Sequence, residues 1–298
     1  MDDRLVREVA AIANDHRSGA SALLRRSLAV LRRASAAGPA ALERIAPLVC
    51  RAQPSMGALW NAVCTALGAD DPVRALDRFE RETDRAEQAV TRVAATLLSR
   101  GDGPSRLATC SHSGTVARVL VAVGARRALC VACAEGRPVY EGRAMAAGLA
   151  AAGLAVEVYT DAGVGAALGA SDALLLGADT VSGDWVINKT GSAQLAALAA
   201  ELDVPVYVVA TCDKFVPPGV AAVLRLRHGP VAEVWGRPPH GVKVRNPYFE
   251  RVPLTLVRAV LSDRGVLDAA LVRKRCHEAH RPSAFARLAG LLGQSSLG

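Results

Sequence analysis

From about residue 104 onward the chain alternates short apolar runs with segments of helical spacing, and this rhythm constrains the fold more than any other feature. The runs over 106–110, 128–133, 155–160, 173–178 and 204–210 read as strands. Between them, 113–123, 140–152, 164–168 and 192–202 read as helices. Strands that are apolar on both faces need cover on both faces. A strand–helix–strand order supplies it as a doubly wound, mostly parallel sheet with helices on either side. In such sheets ligands bind beyond the carboxyl ends of the strands. Here those ends are Cys110-Ser111-His112-Ser113, Glu135-Gly136-Arg137-Pro138, Thr160-Asp161, Gly177-Ala178-Asp179 and Thr211-Cys212-Asp213-Lys214. They are small, polar or charged, which suits a site better than a core.

The first hundred residues have a different texture. Leu23, Leu24, Leu28 and Leu31 recur at helical spacing, and Leu76, Phe79, Ala86, Val90, Val93 and Leu97 mark a long amphipathic helix. Gly38-Pro39, Pro54 and Asp70-Asp71-Pro72 punctuate them, and Gly101-Asp102-Gly103-Pro104 is the strongest stop. Two domains are expected: helical over 1–103, and α/β over 104–298 with the strand-end site. Beyond residue 268 only a helix with basic residues is legible.

With 51% hydrophobic residues the chain is not disordered. No apolar run reaches the roughly 18 residues of a membrane span. The start lacks the basic, apolar and small-residue zones of a signal peptide. A cytoplasmic protein without membrane contact is the expectation. The net charge of +8 comes from four lysines and 32 arginines set against 28 acids. These are scattered, without a long basic arm, so nucleic acid is not the expected partner; an arginine-biased surface that attracts small anions is.

Seven cysteines, spread over the chain, read as thiols rather than a disulfide framework. Cys130 and Cys133 fall in a strand-like run and read as small buried hydrophobes. Cys276, His277 and His280 have metal-like spacing without a partner cluster, and read as a polar helix end; no metal is expected. Gly163, Gly165 and Gly169 mimic a dinucleotide loop, but the last glycine comes one residue late and the strand is not the first.

The residues from Asp179 to Ser192 carry more. Asp179 stops a strand, where it is either a turn former or a carboxylate able to move a proton. After a short polar turn, Asn188 offers hydrogen bonds to hydroxyls and Lys189 a cation. The Thr190-Gly191-Ser192 turn opens a helix whose amides favour an anion. A phosphorylated, polyhydroxylated small molecule would use all of these.

Gly177-Ala178-Asp179 followed by Asn188-Lys189-Thr190-Gly191-Ser192-Ala193-Gln194-Leu195 resembles the signature of the superfamily that joins the α, β and δ subunits of translation initiation factor 2B with ribose-1,5-bisphosphate isomerase and methylthioribose-1-phosphate isomerase. Further matches fall in order: Ser18-Gly19-Ala20-Ser21, Gln53-Pro54-Ser55-Met56, Cys110 to Val116, Glu135 to Gly142, and Asn246-Pro247-Tyr248-Phe249. They cover about residues 10 to 265. The resemblance implies a helical N-terminal domain on a Rossmann-like domain, a homodimer or higher oligomer, and a sugar-phosphate site between the domains. It implies isomerases that use a Cys/Asp pair and no metal or cofactor, or subunits that bind a phosphorylated sugar or nucleotide and act through protein contacts. Asp179 and Cys110 are then the catalytic candidates. Gly19, Ala20, Ser111, Ser113, Arg137, Asn188 and Lys189 are the substrate-binding candidates.

Two departures stand out. Anchored on His112-Ser113-Gly114, the isomerase cysteine falls on Ser111, so Cys110 is expected to turn away unless a local bulge restores it. The arginines that isomerases carry in the early loop and before the helical-domain proline are here Ser18 and Gln53. Two phosphate-binding cations are expected to be missing, with Arg17 a candidate substitute.

Overall fold

A computed structural model describes residues 2–16, 18–101, 103–279 and 281–294. Five helices come first: α1 (Asp2–Ala13), α2 (Ala20–Ala36), α3 (Pro39–Ala52), α4 (Gly57–Leu67) and α5 (Pro72–Leu98). Every residue of α4 is buried, as expected of a helix apolar nearly all round. It forms the axis of the helical core, where Leu59 and Val63 are completely covered. Each such side chain contributes about 1.5–3 kcal/mol by leaving water. Helix α5 starts at Asp71, whose carboxylate accepts from the Arg74 amide, with Pro72 at the first helical position. Its first half packs on α2 and α4. Its second half lays Val90, Ala94, Ala95 and Leu98 against the sheet.

The remainder runs β1 (Arg106–Thr109), α6 (Gly114–Gly124), β2 (Cys130–Ala134), α7 (Glu141–Ala151), β3 (Ala155–Tyr159), α8 (Val164–Leu168) and β4 (Ala173–Gly177). Then come β5 (Thr180–Val181), β6 (Trp185–Lys189), α9 (Ser192–Glu201), β7 (Val206–Val209), a 3-10 turn at Cys212–Lys214, α10 (Pro218–Val223) and β8 (Phe249–Pro253). The chain closes with β9 (Ala259–Ser262), β10 (Gly265–Leu267), α11 (Ala269–Glu278) and α12 (Pro282–Gln294). The main sheet has the order β10-β9-β7-β4-β1-β2-β3, parallel except for the antiparallel β9–β10 pair. Helices α5, α6 and α7 cover one face, and α8 and α9 the other. The winding reverses between β1 and β4, so their carboxyl ends open a crevice.

Three features depart from the sequence reading. The polar turn expected between Asp179 and Asn188 is a β-hairpin: β5 and β6 pair and, with β8, form a second antiparallel sheet. Helix α12 returns to the helical core, burying Ala284 and Leu288 beside α3 and α4. Cys133 is buried as expected, but Cys130 is half-buried and accepts from Arg106 Nη1 at 3.6 Å. At the other end, Cys276 is buried with its thiol donating to the Val181 carbonyl, while His280 lies outside the described residues.

Candidate functional site

The crevice between β1 and β4 deepens into a cavity of about 260 Å³, closed on its far side by the helical part. Its walls come from distant stretches: the start of α2, the β1–α6 connection, the β4–β5 corner, the end of β6, and the segment before β8. Three close approaches set this geometry. Gly57, at the start of α4, donates its amide to the Asp179 carbonyl at 3.0 Å and to Thr180 Oγ1 at 2.7 Å. A methyl group there would meet Val216 Cγ1 at 2.8 Å. A methyl group on Gly177 would strike Ser113 at 2.9 Å, so only glycine lets β4 pass the α6 cap. Asn61, further along α4, donates to the carbonyls of Asp213 and Phe215, at 2.6 and 2.8 Å, and pins the 3-10 turn that carries Lys214.

The polar groups inside are mostly paired with one another. Lys189 Nζ lies 2.5 Å from Glu141 Oε1 and 4.9 Å from the centroid of Tyr248. Lys214 donates to the Ala178 carbonyl at 2.7 Å. Ser192, fully buried, is a hub. Its hydroxyl donates to the Lys189 carbonyl, receives the Asn188 amide at 2.9 Å, and stands 3.3 Å from Cys110 Sγ. Burial pushes the Cys110 thiol up to about 11, against the opposing Ser192 contact and with help from the charge of Glu141. It is therefore a neutral proton donor near pH 7. Burial also raises the Asp179 carboxyl, with Lys214 and then Lys189 pulling the other way. A half-buried carboxyl poised between two cations can take up or give back a proton.

The candidates meet here with one exception. Cys110, Ser111, Ser113, Asp179, Asn188, Lys189, Gly19 and Ala20 all border the cavity. Cys110 does not turn away. Strand β1 ends at Thr109 and Ser111 adopts a left-handed backbone with φ 67°, so strict alternation is broken and both 110 and 111 reach the cavity. Arg137 is the exception: it is exposed, outside the lining, and donates to Tyr140 Oη at 2.7 Å. The anion site expected at the start of α9 is also overturned. The Glu250 carboxylate already accepts from the amides of Gly191 and Ala193, at 2.8 and 2.7 Å. The helix starts that face the cavity belong instead to α2, capped by Gly19, and α6, capped by Ser113. The Gly163 turn leads into a five-residue helix away from the cavity.

Arg227, Arg118, Lys214 and Glu141 line the cavity and were not among the expected binding residues. Gln53 stands where an isomerase arginine was expected, and its side chain accepts from Arg227 at 2.7 Å. The same guanidinium donates to the Ala13 and Asp15 carbonyls and reaches His16 Nδ1 at 3.0 Å. A cation is thus restored from 174 residues away. It also straps down the loop between α1 and α2; Arg17, in that loop, lies outside the described residues. Arg118 lines the cavity while paired with Glu87 at 3.0 Å. No local pattern marked Arg227, which sits in an irregular stretch. Lys214 and Glu141 stood in strand-end motifs and were accessible to closer reading.

A helical unit packed against a doubly wound parallel sheet, with a polar cavity at the switch point between them, defines the class. A solved structure of translation initiation factor eIF-2B from Pyrococcus horikoshii OT3 has this fold, with a TM-score of 0.78 over 89% of this chain and 96% of that one at 24% identity. The chain belongs to the Initiation factor 2 subunit family, whose model matches residues 26–269. It is 32% identical over 221 residues to a putative translation initiation factor eIF-2B subunit 2-like protein of Pyrococcus furiosus, covering 72% of this chain and 76% of that one. It is 24% identical over 238 residues to a ribose 1,5-bisphosphate isomerase of Methanocaldococcus jannaschii, covering 74% of each.

Proposed function

We propose that this chain is an initiation-factor-2B-like protein that binds a phosphorylated sugar in the cavity between β1 and β4 and isomerises an aldose 1-phosphate to the ketose 1-phosphate. The single observation that carries this reading is the convergence of Cys110, Asp179, Asn188 and Lys189 on one enclosed space. The chemistry balances without an outside reactant. A proton reaches the ring oxygen as the bond from C1 to that oxygen breaks. The hydrogen on C2 leaves, C1 gains one, and the C2 hydroxyl gives up its proton to become the ketone. Cys110, neutral and buried, suits the donor. Asp179, held between two lysines, suits the group that takes and returns protons. Asn188 faces the sugar hydroxyls, and the open amides at the starts of α2 and α6 face the phosphate. Ribose 1,5-bisphosphate is the first substrate to try, because a relative carries that activity in its name. The protein acts in the cytoplasm as a homodimer or larger oligomer. Val231, Val234, Trp235 and Val242, exposed on the irregular segment between α10 and β8, support this assembly.

The test is NMR of the purified protein with ribose 1,5-bisphosphate, ribose 1-phosphate and methylthioribose 1-phosphate, watching for ketose signals. Conversion by the native chain and its loss in Asp179→Asn, with unchanged circular dichroism, is the expected result. Unchanged turnover in that variant sinks the mechanism.

A second reading is a non-catalytic regulatory subunit that binds a phosphorylated sugar or nucleotide and acts through protein contacts. One observation favours it: Lys189 and Arg118 are already paired with Glu141 and Glu87, and Lys214 and Arg227 are held by internal carbonyl and amide oxygens, so few cation hydrogen bonds are left open for a phosphate. It requires a ligand-dependent rise in melting temperature with no ketose formed.

A further inference from the structure

A second cavity, of about 410 Å³, opens on the same carboxyl edge of the sheet at the ends of β7 and β9. Helices α4 and α5 roof it and α11 flanks it. It shares one element with the first: in the Cys212–Lys214 turn, Asp213 lines the second cavity and Lys214 the first. Nothing in the isomerase reading uses it.

Its lining is not that of a packing defect. Asp213 is 8% exposed, and its Oδ1 has no hydrogen-bond partner. Thr83 Oγ1, from α5, and Arg275 Nε, from α11, are also buried and unpartnered. All three residues border this one space. Buried polar groups are nearly always satisfied, and one left bare is costly. An acceptor, a hydroxyl and a guanidinium donor facing one cavity form a recognition pattern. At the mouth, Arg264, 3.2 Å from Asp263, and Arg281 add positive charge, while Glu82 and Glu278, the latter 2.7 Å from Arg275 Nη1, keep the rim mixed. Phe79, Phe215 and Leu267 supply an apolar wall. A hydroxyl can donate to Asp213 and accept from Thr83 at once. The arginines match a phosphate or carboxylate. Burial raises the Asp213 carboxyl, which further suits it to share a proton with a hydroxyl rather than to hold a cation.

We propose that the cavity between β7, β9, α5 and α11 is a second ligand site, for a small anion bearing hydroxyl groups such as a sugar phosphate or sugar acid. The anion sits on Arg275 and Arg264, and a hydroxyl bridges Asp213 and Thr83.

Isothermal titration of the full chain with ribose 5-phosphate, gluconate and inorganic phosphate tests it. Native protein is expected to show a ribose 5-phosphate or gluconate site that survives Asn188→Asp, which puts a repelling charge in the first cavity. The double variant Arg264→Ala/Arg275→Ala is expected to weaken that site about tenfold or more, one charge-assisted contact being worth about 1.5–3 kcal/mol. Thr83→Val, a near-isosteric change that spares the rim, is expected to weaken the hydroxylated ligands several-fold and leave inorganic phosphate unchanged. Preference for ribose 5-phosphate or for gluconate then distinguishes the two sources of the anion. Binding of all three probes that Asn188→Asp abolishes, or that neither cavity variant changes, overturns the proposal, as does inorganic phosphate binding as tightly as the hydroxylated probes. Conversion of an aldose 1-phosphate is a separate readout, so failure here leaves the first cavity's reading standing, and the reverse.

Discussion

The two strand-end cavities share a sheet edge and one turn, yet they differ in how many buried polar atoms they leave bare: Glu141 Oε2 in the first, three in the second. In the first, most charged and polar side chains already hold one another: Lys189 with Glu141, Asn188 and Cys110 through Ser192, Arg227 with Gln53. In the second, Asp213 Oδ1, Thr83 Oγ1 and Arg275 Nε have no partner. The difference teaches what each space is prepared for. A network that is largely self-satisfied holds its shape without a ligand and presents chemical groups in a set geometry. A lining that leaves buried groups bare gains most from a molecule that supplies the missing partners.

The comparison is broken or sharpened first at the reactive group. Cys110→Ala is expected to lower turnover by about 10²–10⁴-fold, the usual share of one acid or base, whereas Ser111→Ala stays within about tenfold of native. Steady-state kinetics decide it, and the reverse order would hand the role to Ser111. Next come the ion pairs. Lys189→Ala leaves the half-buried Glu141 without its cation and is expected to cost about 3 kcal/mol. Arg275→Ala, which loses a pair whose side chains are 42% and 46% exposed, is expected to cost less than about 1 kcal/mol. Urea denaturation of both variants measures the gap, and equal costs would erase the contrast between a built network and a loose rim.

Gly57→Ala acts on the element common to both cavities. The added methyl group sits 2.8 Å from Val216 Cγ1 and 2.9 Å from the Lys214 carbonyl, and overpacking of this kind costs about 1–3 kcal/mol. Ligand titration at both sites should weaken together if the turn carries both. The smallest effect concerns pH. Burial raises the Asp213 carboxyl above its ordinary 3.8. The folded state therefore holds that proton more tightly than the unfolded chain. Its stabilising contribution is complete below 3.8 and is lost as pH rises through the folded value. Asp213→Asn should accordingly gain more stability relative to native at pH 7 than at pH 4, as read by chemical denaturation at both.

Local periodicity by itself determined the alternation of strands and helices from 106 to 210, the amphipathic α5, and the placement of Asp179 where β4 stops. Each of those signals lies within one contiguous segment, because side-chain burial repeats every 2 or 3.6 positions. Tertiary structure alone decided the rest. The hairpin β5–β6 needed β8, sixty residues on, to make its sheet. Cys110 reached the cavity because the chain turns left-handed at Ser111, whose hydroxyl donates to Glu141 at the start of α7, thirty residues on. Glu250 took the amides that the start of α9 offered, Arg227 came back to Gln53, and α12 returned to the helical core. Each of these is a pairing between groups far apart in sequence. Which partner a buried cation, carboxylate or amide finds is settled by packing of the whole chain, and a local pattern carries no record of it.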